Sequence, residues 1–153
     1  MKKASHTLIG LSGFWLVFQP HLQQLAVNHQ TSTALFACMI GSIAPDFDIY
    51  ASNMNLRFKE RSLWNAHRGI THHAILGLLL FLTALIIPNT AFKAFVLGYI
   101  LHLLADMLSK LGIPYWSYQD RFALKLYETG KLSEFLVLSA IIAFTAIIMH
   151  QII

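Results

Sequence analysis

Five apolar runs occupy most of the chain: Thr7 to Phe18, Thr33 to Ala44, Ile70 to Ile87, Ala91 to Leu108 and Leu132 to Ile152. A chain of 153 residues cannot bury so many long apolar stretches in one core, so they require an apolar surround. Hydrophobic residues make up 56% of the chain and charged residues 12%, against about 45–50% and about 25% in an average soluble domain. Ordinary water-soluble, disordered and fibrous chains are thereby excluded. The expected fold is all-α: a polytopic membrane bundle of about five transmembrane helices, with residues 1–153 forming a single integral membrane domain. The last three runs are long enough to span. The first two hold 12 residues each, about 18 Å of helix, and span only with Ser5, His6, Pro20 and Thr31 at the lipid interface. The turn Pro88-Asn89-Thr90 should leave the third and fourth segments as antiparallel neighbours.

Ten of the eleven basic residues fall on one side of such a bundle. Lys2 and Lys3 precede the first run. Arg57, Lys59, Arg61 and Arg68 lie between the second and third, and Lys110, Arg121, Lys125 and Lys131 between the fourth and fifth. Lys93 alone lies near the other face. Basic residues accumulate on the cytoplasmic side, so the N-terminus is expected inside and the C-terminus outside, in a multi-pass protein of a bacterial-type inner membrane. Topology and anionic headgroups then account for the net charge of +4 and the pI near 9.4, making the bilayer the partner and giving no reason to expect nucleic acid. Lys2-Lys3 followed by Leu8 to Phe18 imitates a signal peptide, but no small-residue cleavage site follows Phe18. The lone Cys38 forbids an internal disulfide and is expected to be a buried structural residue.

Chemistry-bearing residues collect on the side expected to be cytoplasmic. His102 and Asp106 are i and i+4 in the fourth run, hence stacked on one helix face; two metal ligands or a simple hydrogen-bonded pair would use that spacing. Pro45 ends the second run and sets Asp46 and Asp48 just beyond it. Two anions so close call for a cation between them, the alternative being a solvated turn capped by Asp46. His67-Arg68-Gly69-Ile70-Thr71-His72-His73 packs three imidazoles and a guanidinium into seven residues. That composition suits a metal beside an anionic substrate, or basic residues contacting lipid phosphates. His73 lies on the adjoining face and is the weakest ligand candidate. His6 either joins the cluster or caps the first helix with Ser5 and Thr7. His21, His29 and His150 belong to the opposite face and receive no role.

Trp64, Tyr115, Trp116 and Tyr118 read as interfacial anchors, and Tyr118 to Tyr127 as a short surface helix from which Lys110, Arg121 and Lys125 could meet headgroups. Glu134 could hydrogen-bond an imidazole or pair with Lys131. No glycine-rich phosphate loop, Gly-x-Ser-x-Gly, His-Glu-x-x-His or Cys-x-x-Cys occurs, which argues against nucleotide hydrolases, serine hydrolases and common metalloproteases.

Ser-His6-Thr, Pro-Asp46-Phe-Asp48, His67-Arg-Gly-Ile-Thr-His72 and Gly-Tyr-Ile-Leu-His102-Leu-Leu-Ala-Asp106, in this order, resemble the YdjM-like inner-membrane family, described as metal-dependent hydrolases. The resemblance runs from His6 to about Glu134. His73 stands where a small residue is usual and Ser109 where Thr often follows. The ligand order also resembles, distantly, that of zinc-dependent phospholipases C and single-strand nucleases, which implies that Asp106 could bridge two metals.

The resulting expectation is a membrane-embedded hydrolase cleaving a phosphoester or similar bond of a lipid-linked or otherwise interfacial, phosphorylated substrate. One or two divalent ions, zinc first and manganese or magnesium as alternatives, would be held by His6, Asp46, Asp48, His67, His102 and Asp106. Arg68 would neutralise transition-state charge, and His72 would be a further ligand or the acid for the leaving oxygen. The alternative is a non-enzymatic membrane protein, either a metal-stabilised scaffold or a metal or proton transporter. The outer halves of the runs lack acidic residues, which disfavours transport.

Overall fold

The computed structural model describes residues 3–22, 29–49 and 67–152. Lys2, Arg57, Lys59, Glu60, Arg61 and Trp64 lie outside the described residues. Among the described residues five long helices occur: α1 (Lys3–Leu22), α2 (His29–Ile43), α3 (Ala74–Ile86), α4 (Thr90–Leu108) and α5 (Leu132–Ile152). The all-α expectation holds, with one small hairpin, β1 (Ile113–Pro114) paired antiparallel with β2 (Arg121–Phe122).

The third apolar run does not start its helix at Ile70. Gly69 turns the chain into a 3₁₀ turn over Ile70–His72, and α3 begins only at Ala74, where the His73 side chain accepts from Ile75 N–H as N-cap. The 13 residues that remain make about 20 Å of helix. Among the described residues, α4 alone is long and apolar enough to cross a membrane by itself. Ala4–Phe18, Ala74–Ile86 and Leu132–Ile148 form shorter apolar helical stretches.

At the centre, α4 packs against α2 at backbone contact. A Cβ on Gly41 would lie 2.0 Å from the Phe95 carbonyl oxygen, and one on Gly98 would lie 2.1 Å from that of Cys38. Only glycine permits this approach. Beside the contact, Phe14, Ala34, Cys38 and Ala94 form an apolar core, into which Cys38 is fully buried as expected. The loop Pro88-Asn89 reverses the chain between α3 and α4, and Asn89 caps α4 by accepting from Phe92 N–H at 2.8 Å.

Tyr118 to Tyr127 is extended rather than helical. The carbonyls ending α4 need donors, and this segment supplies them: Leu124 N–H bonds Met107 O and Leu126 N–H bonds Leu108 O, each at 2.8 Å. Tyr127 plugs beneath, with its hydroxyl on Ala105 O at 2.8 Å. Tyr115 and Trp116 are exposed as anchors would be, and Arg121 stacks over the Tyr118 ring.

Candidate metal centre

Four separate segments bring their ionisable residues to one end of the bundle. His6 comes from the start of α1, Asp46 and Asp48 from a 3₁₀ turn over Ala44–Phe47, His67 to His72 from the approach to α3, and His102 and Asp106 from the last turns of α4. Pro45 occupies the first turn of that 3₁₀ element, where its missing N–H costs nothing.

His102 Nδ1 lies 2.7 Å from the Ser42 carbonyl oxygen. An oxygen of that kind only accepts, so the Nδ1 carries the proton and Nε2 presents a lone pair. His72 Nδ1 lies 3.0 Å from Asp48 Oδ2, and a carboxylate fixes the tautomer in the same way. With His72 neutral, both imidazoles aim unprotonated Nε2 atoms at each other, 3.2 Å apart. Asp46 Oδ1 stands 3.6 Å from His72 Nε2 and 3.8 Å from His102 Nε2. Asp106 Oδ2 stands 3.4 Å from the first and 3.7 Å from the second. Lone pairs this close repel unless a proton or a metal cation lies among them. A tetrahedron with metal–ligand bonds of about 2.0–2.1 Å has edges of about 3.3–3.4 Å, close to the five distances found.

The two remaining imidazoles border this tetrad. His6 stacks on His102 with ring centroids 3.7 Å apart, and its Nε2 lies 3.5 Å from Asp106 Oδ1. His6, Asp46 and His102 form one group able to hold an ion, as do Asp46, His67 and His72, and His72, His102 and Asp106. Among the described residues, two buried side-chain polar atoms have no hydrogen-bond partner, His6 Nδ1 and Arg68 Nε, and both belong to this cluster.

Asp48 faces the other way and works as a hydrogen-bond hub. It meets His67 Nδ1 at 2.8 Å, Arg68 N–H at 2.8 Å, the Thr71 hydroxyl at 2.9 Å and His72 Nδ1. Burial alone would raise its pKa, but the hydrogen bonds from His67, His72 and Thr71 hold it well below the carboxylate range. Burial alone would lower that of His72, but Asp46, Asp48 and Asp106 outweigh it and raise it.

Arg68 is buried, and its Nη2 donates to Asp106 Oδ1 at 2.7 Å. His73 caps α3 and reaches the Trp116 carbonyl with Nε2 at 3.4 Å, away from the centre. Glu134 accepts from Ser5 Oγ at 2.8 Å and Gly130 N–H at 2.6 Å, pinning α5 to α1, while Lys131 pairs with Glu128. Sequence reasoning passed over Ser42, Gly41 and Gly98, which let α2 approach closely enough to orient His102. Their only trace in the sequence is Gly98 one turn before His102, on the same helix face.

A family profile described as YdjM inner membrane protein matches residues 1–152. The chain belongs to the YdjM family of inner membrane proteins. Inner membrane protein YdjM of Escherichia coli (strain K12) is 32% identical over 115 residues, covering 67% of this chain and 57% of the relative. Its counterpart in Shigella flexneri matches with the same identity and coverage. The match thus spans little more than half the length of these curated relatives. No solved structure matches the chain significantly. Family membership supplies the membrane location that the composition demands.

Proposed function

We propose that the chain is a five-span inner-membrane protein that holds zinc at the cytoplasmic end of its bundle and hydrolyses a phosphoester or similar bond of a lipid-linked substrate. The observation that carries the metal is the tetrad of His72, His102, Asp46 and Asp106, in which five of the six ligand-to-ligand distances are 3.2 to 3.8 Å. The spanning topology draws support from the outer faces of α3 and α5. Leu78, Leu82, Ile86, Phe135 and Phe144 lie exposed there, apolar surface that lipid would cover.

By expanding to a fifth position, bound zinc would supply a water of pKa about 7 and a Lewis acid for a phosphoryl oxygen. His72, which could also have been an acid, serves as a ligand in this arrangement, with Asp48 holding its tautomer. His67 has a side chain 40% exposed and lines the side from which a headgroup would arrive. It takes over the proton-transfer role that His72 gives up.

One observation favours a second reading, the metal-stabilised scaffold. His6, His72, His102 and Asp106 are all at most 1% exposed, and closed four-coordinate zinc sites are structural whereas catalytic ones keep an open position. The test is turnover. Zinc-loaded protein in lipid vesicles should release phosphate from lipid phosphoesters, and His102→Ala and Asp106→Ala should lose both zinc and activity. Activity in zinc-free protein would overturn the centre as catalyst. Tight zinc with no turnover across the substrate panel would leave the scaffold.

A further inference from the structure

Asp106 offers Oδ2 to the tetrad, and its Oδ1 faces His6 Nε2 at 3.5 Å. A second ion would sit on these atoms if Asp106 bridged two metals, and Asp46 lies within ligand reach of His6. Yet the same Oδ1 already carries the Arg68 guanidinium at 2.7 Å. We propose that Arg68 is a built-in substitute for a second metal ion, limiting the cluster to one divalent cation per chain. The proposal rests on the metal-centre reading above.

The guanidinium is held firmly in this position. Its Nη1 donates to Ser109 Oγ at 2.9 Å and to the Gly112 carbonyl at 3.2 Å, and the residue is 4% exposed. Its backbone is held at a cost, with φ at 60°, a left-handed conformation uncommon for residues other than glycine. The Arg68 N–H bond to Asp48 Oδ2 fixes that turn from one side, and Arg121 Nη2 donating to the Arg68 carbonyl at 3.4 Å fixes it from the other.

Charge gives an independent argument. Asp46, Asp48 and Asp106 bring three buried or half-buried carboxylates to the cluster. One divalent ion and one guanidinium, which never loses its proton, balance them while the imidazoles stay neutral ligands. A second divalent ion beside Arg68 would leave two positive charges uncompensated in a buried site, which is costly. Removing the guanidinium reverses that balance. It leaves one negative charge over, and opens Asp106 Oδ1 to an ion shared with His6.

The experiment is zinc per chain, by elemental analysis of the full chain purified in detergent and equilibrated with excess zinc. Wild type should hold one equivalent. Arg68→Gly, which accepts the left-handed backbone, should hold two, and adding His6→Ala to that variant should return it to one. His6→Ala alone should keep one, a result that needs no change at Arg68 and so stands even if Arg68→Gly fails to fold. Two equivalents in wild type, or one or none in folded Arg68→Gly, would overturn the proposal and leave the metal centre standing, whereas loss of zinc in His6→Ala would overturn both the proposal and the tetrad. No zinc in wild type would overturn the metal centre itself, and this inference with it.

Discussion

The two ends of α4 pack by different rules. Toward its N-terminus, Val96 and Leu97 join Val17, Phe18 and Leu85 around an apolar groove of about 400 Å³ whose one charged residue is Lys93. Toward its C-terminus, His102 and Asp106 are buried beside three other imidazoles, a guanidinium and two further carboxylates. Contacts at the first end are non-directional and tolerate exchange of one apolar group for another. At the second, most polar atoms have a specific donor or acceptor partner, so one substitution leaves a charge or lone pair uncompensated. The proposed function accordingly belongs to the C-terminal end of α4.

The largest effect should come from breaking that end directly. Asp106→Ala strands the Arg68 guanidinium, so we expect about 3–5 kcal/mol of destabilisation together with complete loss of zinc, read by detergent thermal unfolding and elemental analysis. Asp106→Asn, which keeps the side-chain shape, separates the two effects: zinc should still be lost while more of the stability is retained.

The α2–α4 contact links the two ends and should rank next. Gly98→Ala puts a Cβ against the Cys38 carbonyl, and the overpacking should cost about 1–3 kcal/mol. Ser42 would move with α2, so zinc affinity should fall too. Unchanged affinity would break the link between helix spacing and His102 orientation. Asp48→Asn probes orientation without touching the tetrad. Zinc affinity should drop about 10–100-fold, as for other residues that orient metal-bound histidines, with one equivalent still bound at saturation. The smallest effect belongs to the other end: Lys93→Ala should change stability by less than about 0.5 kcal/mol and leave zinc affinity unaltered.

Much of the site was legible because helical spacing is local. His102 and Asp106 at i and i+4 had to share a face, and the side on which charges collect had to gather His6, Asp46 and His72 at one end. The division of labour between Asp46 and Asp48 was not legible. Two carboxylates two residues apart are equivalent in sequence, and only the 3₁₀ turn points one at the tetrad and the other at His67, Thr71 and the Arg68 backbone. Arg68 was expected to face substrate. Its left-handed backbone sends the side chain to Asp106 instead, and spacing rules do not encode that reversal. The segment from Tyr118 to Tyr127 misled for a related reason. Its own composition allows a helix, and what extends it is the demand of the α4 carbonyls for donors, a tertiary requirement. The apolar run from Ile70 does not reveal where its helix starts, because Gly69 and the capping His73 delay α3 by one turn.

X-ray absorption at the zinc edge of the loaded protein tests the central claim most directly. The account predicts a four-coordinate shell of nitrogen and oxygen at about 2.0–2.1 Å, with outer-shell scattering from two imidazoles. That imidazole signal should halve in His72→Ala or His102→Ala wherever zinc is still retained. A sulfur scatterer near about 2.3 Å, which only Cys38 or a methionine could supply, or a shell of light atoms without imidazole scattering, would contradict it.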